Sequence, residues 1–334
     1  MNKLKSMDGK KVLITGGLGF IGSNLAHKCC ELGAEVTVYD NLDSASGGNR
    51  YNVDDINNTV DVVYGDICNF YKVKRYIVKK DIIFNCAALT SHSLAMQRPW
   101  SYVEVNAKGV ITLLEAAKQY NPSMKFVQLG TTTQIGKQQY SPADEDHPEF
   151  TTDIYSANKT VSEKYVLIYG NVYQMPVTVI RLPNVYGPRA AIHSPDFGFI
   201  NYFIGLGLQN KEITIFGSGT QLRNVLYVDD CVSALIMAAQ TDKTNGEVLF
   251  AVGDEHYSAT TIANSIAEHI GGRVKYVEWP DDRKAIEVGD AVISNKKFKS
   301  VLDWEPRYDL EKGLMKTKQY FVSCKREYLD RGEL

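Results

Sequence analysis

Cysteine chemistry and long apolar runs are both nearly missing from this 334-residue chain. The six cysteines (Cys29, Cys30, Cys68, Cys86, Cys231 and Cys324) form no Cys-x-x-Cys pair and have no histidine at metal-ligand spacing. Neither a zinc site nor a disulfide framework is therefore indicated, and no metal is expected. Most should be buried small hydrophobes in a reducing compartment. No apolar run approaches the ~18 to 20 residues that span a bilayer, and the stretch Tyr202 to Leu208 is broken by glycine, so a membrane span is not expected. The N-terminus, MNKLKSMDGKK, lacks the apolar centre of a secretory signal, which places the protein in the cytoplasm by expectation. Excess charge is absent too: 37 Lys and Arg stand against 39 Asp and Glu. The one basic block, Lys72 to Lys80, reads as the solvated face of a helix, so no nucleic-acid partner is expected.

What is present is an ordinary globular composition, 44% hydrophobic and 23% charged, which supports a packed core. Single cores stop growing near ~250–300 residues, so two lobes with a cleft between them are expected. Short apolar runs recur at Lys11–Thr15, Glu35–Tyr39, Val60–Tyr64, Asp81–Cys86, Lys125–Leu129 and Pro176–Leu182, with helical patterns between them. Such alternation predicts an α/β fold with a doubly wound parallel sheet, a Rossmann fold. Beyond Arg181 the prolines and glycines multiply, marking a smaller C-terminal α/β lobe for substrate. The expected division is 8–182 for the dinucleotide-binding domain, with 224–254 returning to it, and 183–223 plus 255–334 for the substrate lobe.

Gly16, Gly19 and Gly22 follow the first strand and open a helix, so backbone amides can approach a pyrophosphate at the positive helix end. Asp40 ends the second strand, where its carboxylate would accept hydrogen bonds from both adenosine ribose hydroxyls and repel a 2′-phosphate. NAD is the cofactor this favours. Asp66 and Ile67 end the third strand at the level of an adenine edge, and Ala87 with Ala88 end the fourth. By position alone these four are as compatible with turn and packing roles.

Tyr155 and Lys159 are four apart and project from one helical face. A phenol titrates near ~10, and a nearby ammonium with a cationic nicotinamide ring would favour its phenolate, making Tyr155 a base. A Tyr-x-x-x-Lys pair alone is common on surface helices.

The motifs TGGLGFIGSNL (15–25), YDN (39–41), GDI (65–67), VNAKGVITLLEAA (105–117), YSANK (155–159), RLPNVYGPR (181–189) and GSGTQLRNVLYVDD (217–230) occur in this order. Together they resemble the extended short-chain dehydrogenase/reductase family, the NAD-dependent epimerases and dehydratases of sugar nucleotides, over nearly the whole chain. The resemblance implies that Tyr155 exchanges a proton with a sugar hydroxyl, that Lys159 binds the nicotinamide ribose and holds the phenol's pKa down, and that Thr131 bonds the reacting hydroxyl. Thr132 and Thr133 lie close enough to take that last role. It further implies cofactor contacts from Phe20, Ile21, Asn41, Asn106 and Pro183, with Asn106 supporting the active-site helix. Ser91, Thr132 and Asn184 would face the substrate. Arg223 would clamp its diphosphate, with Arg283 as a second candidate clamp, since a planar guanidinium pairs two oxygens at once. Helices near 101–120 and 155–169 resemble those that form a homodimer interface.

Departures from the family pattern narrow the chemistry. The 4,6-dehydratases carry Asp-Glu after the catalytic threonine and the uronate decarboxylases a glutamate; here stand Thr132 and Thr133. Ile135 replaces the usual tyrosine before Gly136, and Asn85-Cys86 replaces the usual histidine before the alanine pair, where Cys86 fits packing better than catalysis. Epimerisation of a nucleotide-diphosphate sugar through a transient keto-sugar leads, most simply on a UDP-hexose at C4. The alternatives are a 2-epimerase, a dehydratase or a reductase on the same scaffold, or a nucleotide sensor without catalysis.

Overall fold

The computed structural model describes residues 4–281, 284 and 287–329. Seven strands pair in parallel: β1 (Lys11–Thr15), β2 (Glu35–Asp40), β3 (Val60–Tyr64), β4 (Ile82–Asn85), β5 (Lys125–Thr131), β6 (Val177–Leu182) and β10 (Val248–Phe250). Their order is β10-β6-β5-β4-β1-β2-β3, so the chain winds outward in both directions from the β1–β4 pair. The doubly wound sheet anticipated from the alternating pattern is the one observed.

Successive residues of a strand point to opposite faces, and here both faces are covered, which is why the strands read as continuous apolar runs. Val12 and Ile14 join Phe84 and Val127 on one face, together with Leu25 of α1 (Phe20–Glu31) and Leu235 of α8 (Val228–Ala239). Leu13, Ile83 and Phe126 turn to the other face, against Leu113 of α5 (Gly109–Tyr120) and Val166 of α6 (Ile154–Tyr173). The basic block falls on α2 (Phe70–Ile77), which buries Val73 and Ile77.

After β6 the chain leaves the large sheet and builds β7 (Asn184–Tyr186), α7 (Phe199–Leu208), β8 (Glu212–Phe216) and β9 (Leu222–Tyr227). It then passes through α8 and returns to the sheet as β10. Buried Lys125 at the start of β5 anchors this return, donating to Thr244 Oγ1 at 3.0 Å, to the Thr241 carbonyl at 3.3 Å and to Asn245. Beyond β10 come β11 (His256–Ser258), α9 (Ala259–His269), β12 (Arg273–Val277) and C-terminal helices at Lys296–Leu302 and Leu310–Cys324. Strand β9 sits between β11 and β7 in one small sheet, and β12 pairs with β8 in another. Among the described residues no helix is long and apolar enough to cross a membrane, and no group of three or more His, Cys, Asp or Glu is placed to hold a metal ion.

Reversal of winding between β1 and β4 opens a crevice at their carboxyl ends, where ligands of such sheets bind. Segments that follow β6 line the same crevice and close it into a cleft of about 880 Å3.

Candidate active site

One end of the cleft is made by the turn between β1 and α1. Gly16 has φ +65°, and a Cβ there would stand 2.7 Å from the backbone of Ala87; a Cβ on Gly22 would meet the Gly16 carbonyl oxygen at 2.3 Å. Both clashes are with backbone, so only glycine permits this turn and the helix start behind it. The result is an amide-lined cradle that fits a pyrophosphate. Gly19, Phe20 and Ile21 line the same wall.

Asp40 ends β2 beside this cradle, only 7% exposed, accepting from the amides of Leu18 at 3.0 Å and Leu42 at 2.8 Å. Burial pushes its carboxyl up, while the Leu42 and Leu18 amides oppose that push. Two amide bonds leave each oxygen a further lone pair for a ribose hydroxyl. Asn41, Asp66, Ile67, Ala87, Ala88 and Pro183 also line the cleft. The residues present thus fit a dinucleotide along this edge.

Asn106 is not among the residues that line the cleft. It is 1% exposed in the turn Val103–Lys108, where its amide closes a reciprocal pair with the Leu89 backbone, at 2.9 Å and 2.8 Å. It braces the strand exit from beneath. Arg283 lies outside the described residues.

The other end of the cleft collects Thr131, Thr132, Tyr155 and Lys159. Helix α6 starts at Asp153, whose Oδ1 accepts from the Ser156 amide at 2.9 Å; this cap sets Tyr155 in the first turn and Lys159 one turn on. Thr131 ends β5 and bonds Tyr155 through its hydroxyl. Thr133 lines this end too, its hydroxyl bonded to Thr131 Oγ1 at 3.1 Å and accepting from Ser156 Oγ at 2.9 Å.

Among the chain's own groups Tyr155 is pushed above its ordinary value, by burial first and then by Asp153 and Tyr102, and Thr131 alone works downward. The Lys159 ammonium donates to the Leu129 carbonyl. Burial brings Lys159 itself down to about 8.

Thr131 is fixed by a buried network that the sequence did not disclose. Its amide donates to Gln134 Oε1 at 2.9 Å, Gln134 donates to Glu163 Oε2 at 2.9 Å, and Arg181 grips Glu163 through Nε at 2.8 Å and Nη2 at 2.6 Å. Burial would raise the Glu163 carboxyl, but Arg181 and Gln134 hold it below the ordinary carboxylate range. A carboxyl depressed in the folded state stabilises above its unfolded value and loses that contribution as pH falls through the folded one. Glu163→Leu leaves Arg181 buried with a single carboxylate, Glu149, and is expected to cost about 3 kcal/mol. Urea unfolding at neutral pH reads that loss, and the difference from wild type should shrink on acidification.

Toward the second lobe, Ser91, Asn184 and Arg223 line the cleft. Ser91 donates to Asp196 at 2.5 Å, tying the segment after β4 to the one after β7. Asn184 donates to the Asn224 carbonyl at 3.2 Å. Arg223 is already engaged, pairing Glu287 at 2.6 Å and donating to the carbonyls of Leu222 at 2.8 Å and Gly289 at 2.6 Å. Glu287, Asp196, His92 and Asp153 are cleft residues that sequence reasoning missed. Asp153 alone carried a local signal, as an acid at a helix start.

Comparison with known proteins agrees with this architecture. The family described as NAD dependent epimerase/dehydratase matches residues 12–253. A UDP-N-acetyl-alpha-D-glucosaminuronate decarboxylase of Bacillus cytotoxicus is 30% identical over 320 residues, covering 93% of this chain and 98% of its own. A putative UDP-glucose 4-epimerase of Methanocaldococcus jannaschii is 30% identical over 317 residues, covering 94% and 99%. Among solved structures, the UDP-glucose 4-epimerase of Thermotoga maritima with UDP-glucose superposes with a TM-score of 0.84 at 28% identity, covering 94% of this chain and 99% of that one. With a family match over more than half its length and relatives aligned nearly end to end, the chain belongs to the NAD-dependent epimerase/dehydratase family, and NAD is its cofactor.

Proposed function

We propose that this protein epimerises a nucleotide-diphosphate sugar through a transient keto-sugar, most simply a UDP-hexose at C4. The supporting observation is the pair Thr132 and Thr133, where elimination of water or decarboxylation calls for carboxylates. A second observation agrees. A uronate substrate needs a spare cation for its carboxylate, and among the described residues the lysine and arginine side chains lining the cleft are Lys159 and Arg223. The first is turned to Leu129 and the second to Glu287. Asp153 and Asp196 add negative charge nearby, which suits a neutral hexose.

When bound, NAD supplies reversible hydride acceptance. Tyr155 Oη takes the proton of the sugar hydroxyl while Thr131 Oγ1 holds that oxygen in place. Lys159 anchors the nicotinamide ribose and, by leaving Leu129 for it, comes to favour the phenolate. Arg223 exchanges Glu287 for the diphosphate, so the sugar can turn over on a fixed tether before Tyr155 returns its proton. Residues 8–182 with 224–254 serve the cofactor, and 183–223 with 255–334 the sugar nucleotide. Incubation with UDP-, CDP-, GDP- and dTDP-hexoses without added cofactor tests the proposal. An epimer of unchanged mass is expected; a product lighter by water overturns it.

The protein is further proposed to act as a homodimer. Val161, Ile168 and Val172 form an exposed apolar stripe along α6, and Trp100, 81% exposed, and Val103 extend it on the neighbouring helix. Such a patch on an otherwise charged surface calls for a partner. Sedimentation at micromolar concentration is expected to give a dimer, and Ile168→Glu with Val172→Glu a folded monomer.

A further inference from the structure

We propose that His92 is a second acid/base of this site, placed to exchange the proton on a carbon next to the ketone of the keto-sugar. The inference rests on the oxidation proposed above. His92 opens the short helix α3 (His92–Gln97) at the cleft wall, and its ring lies edge-on to Tyr155 with centroids 4.8 Å apart. Its Nδ1 is 2.8 Å from Asp153 Oδ2. Asp153 also accepts from the Ser156 amide and hydroxyl, each at 2.9 Å. Burial would raise the Asp153 carboxyl, but His92 and Ser156 hold it below the ordinary range, so it stays ionised and keeps the imidazole proton on Nδ1. That leaves Nε2 as an acceptor. Among the described residues Nε2 has no protein partner, and the side chain is 37% exposed.

A carboxylate orienting an imidazole beside the acid/base that works the reacting hydroxyl is more than a helix cap requires. Asp153 caps α6 through Oδ1, and the bond to His92 uses the other oxygen. The two carboxylates nearest the sugar end are both engaged, Asp153 as described and Asp196 by Ser91 and Ser194. His92 therefore offers the open basic atom beside Tyr155.

The step balances within the site. A ketone acidifies the adjacent C–H bond. Nε2 takes that proton, the C–H electron pair becomes a C=C bond, and the carbonyl π pair moves to oxygen, which receives the proton held by Tyr155. In reverse, the oxygen returns its proton to Tyr155 and Nε2 returns one to carbon. No outside oxidant or reductant enters. Because the imidazolium is open to solvent, the returning proton is a solvent proton, and delivery to the opposite face inverts a second centre.

Holoenzyme is incubated with each nucleotide hexose of the panel in D2O, and the product and the recovered sugar are weighed by mass spectrometry and mapped by NMR. One carbon-bound deuteron beside the oxidised centre is expected. In His92→Gln the ratio of deuterium exchange to C4 inversion is expected to fall about 100-fold. Both are read on the same molecules, so a loss of folded enzyme lowers them alike. Asp153→Asn, which retains a capping side chain, is expected to lower the same ratio. Inversion without carbon deuterium in wild type, or an unchanged ratio in His92→Gln, overturns the assignment. Deuterium in the recovered sugar without any epimer supports His92 and sinks the epimerase proposal; the absence of both overturns the two together.

Discussion

Tyr155→Phe is expected to lower turnover about 1,000-fold, within the range general acid–base groups contribute, while the melting temperature and the content of bound NAD stay near wild type. The substitution removes one oxygen and keeps the ring that packs against His92, Leu89 and Tyr102. Loss of the hydroxyl strips Thr131 of one partner, but Thr131 keeps its bond to Thr133. Single-turnover reduction of bound NAD by the accepted hexose reads the oxidation step directly. A variant that reduces bound NAD at the wild-type rate would remove Tyr155 from the chemistry. The raised phenol gives this result a pH signature. With burial, Asp153 and Tyr102 all opposing ionisation, the wild-type rate should climb with pH.

Gly16→Ala is expected to abolish stable NAD retention and to cost about 3 kcal/mol or more of stability. Two penalties combine: a left-handed φ of +65° that alanine tolerates poorly, and a Cβ driven into the Ala87 backbone at 2.7 Å, where no side chain can swing aside. Relief would push β1 and β4 apart at the crevice, the very place the pyrophosphate occupies. The check is the nucleotide released on denaturing purified protein, read with a urea titration. Gly19→Ala is the contrast, since its Cβ would meet only the Gly16 carbonyl oxygen, at 3.1 Å.

The nucleotide half of the site was legible in the sequence because its determinants are local. Gly16, Gly19 and Gly22 fall within one turn, and Asp40 is placed by the end of its own strand. The sugar half was legible only in its helical spacing. Four residues between Tyr155 and Lys159 put both on one face, yet spacing is silent about the Leu129 carbonyl that competes for the ammonium. His92 meets Asp153 from 61 residues away, and Gln134 meets Glu163 from 29, separations with no pattern to read. Asn106 meets the Leu89 backbone from 17 residues away, a contact that its motif does not spell out. The pairing of Arg223 with Glu287, 64 residues on, is likewise silent in the sequence.

The late arrival of β10 has a consequence for how the polypeptide emerges during synthesis. Strand β6 is buried at every position and is finished at Leu182, but its neighbour on the outer side spans Val248–Phe250. Until that later stretch leaves the ribosome, β6 is a bare apolar edge, the kind of template that recruits other nascent chains. A fragment ending at residue 182 should for this reason precipitate rather than behave as an autonomous cofactor module, and a soluble minimal piece must extend past Phe250.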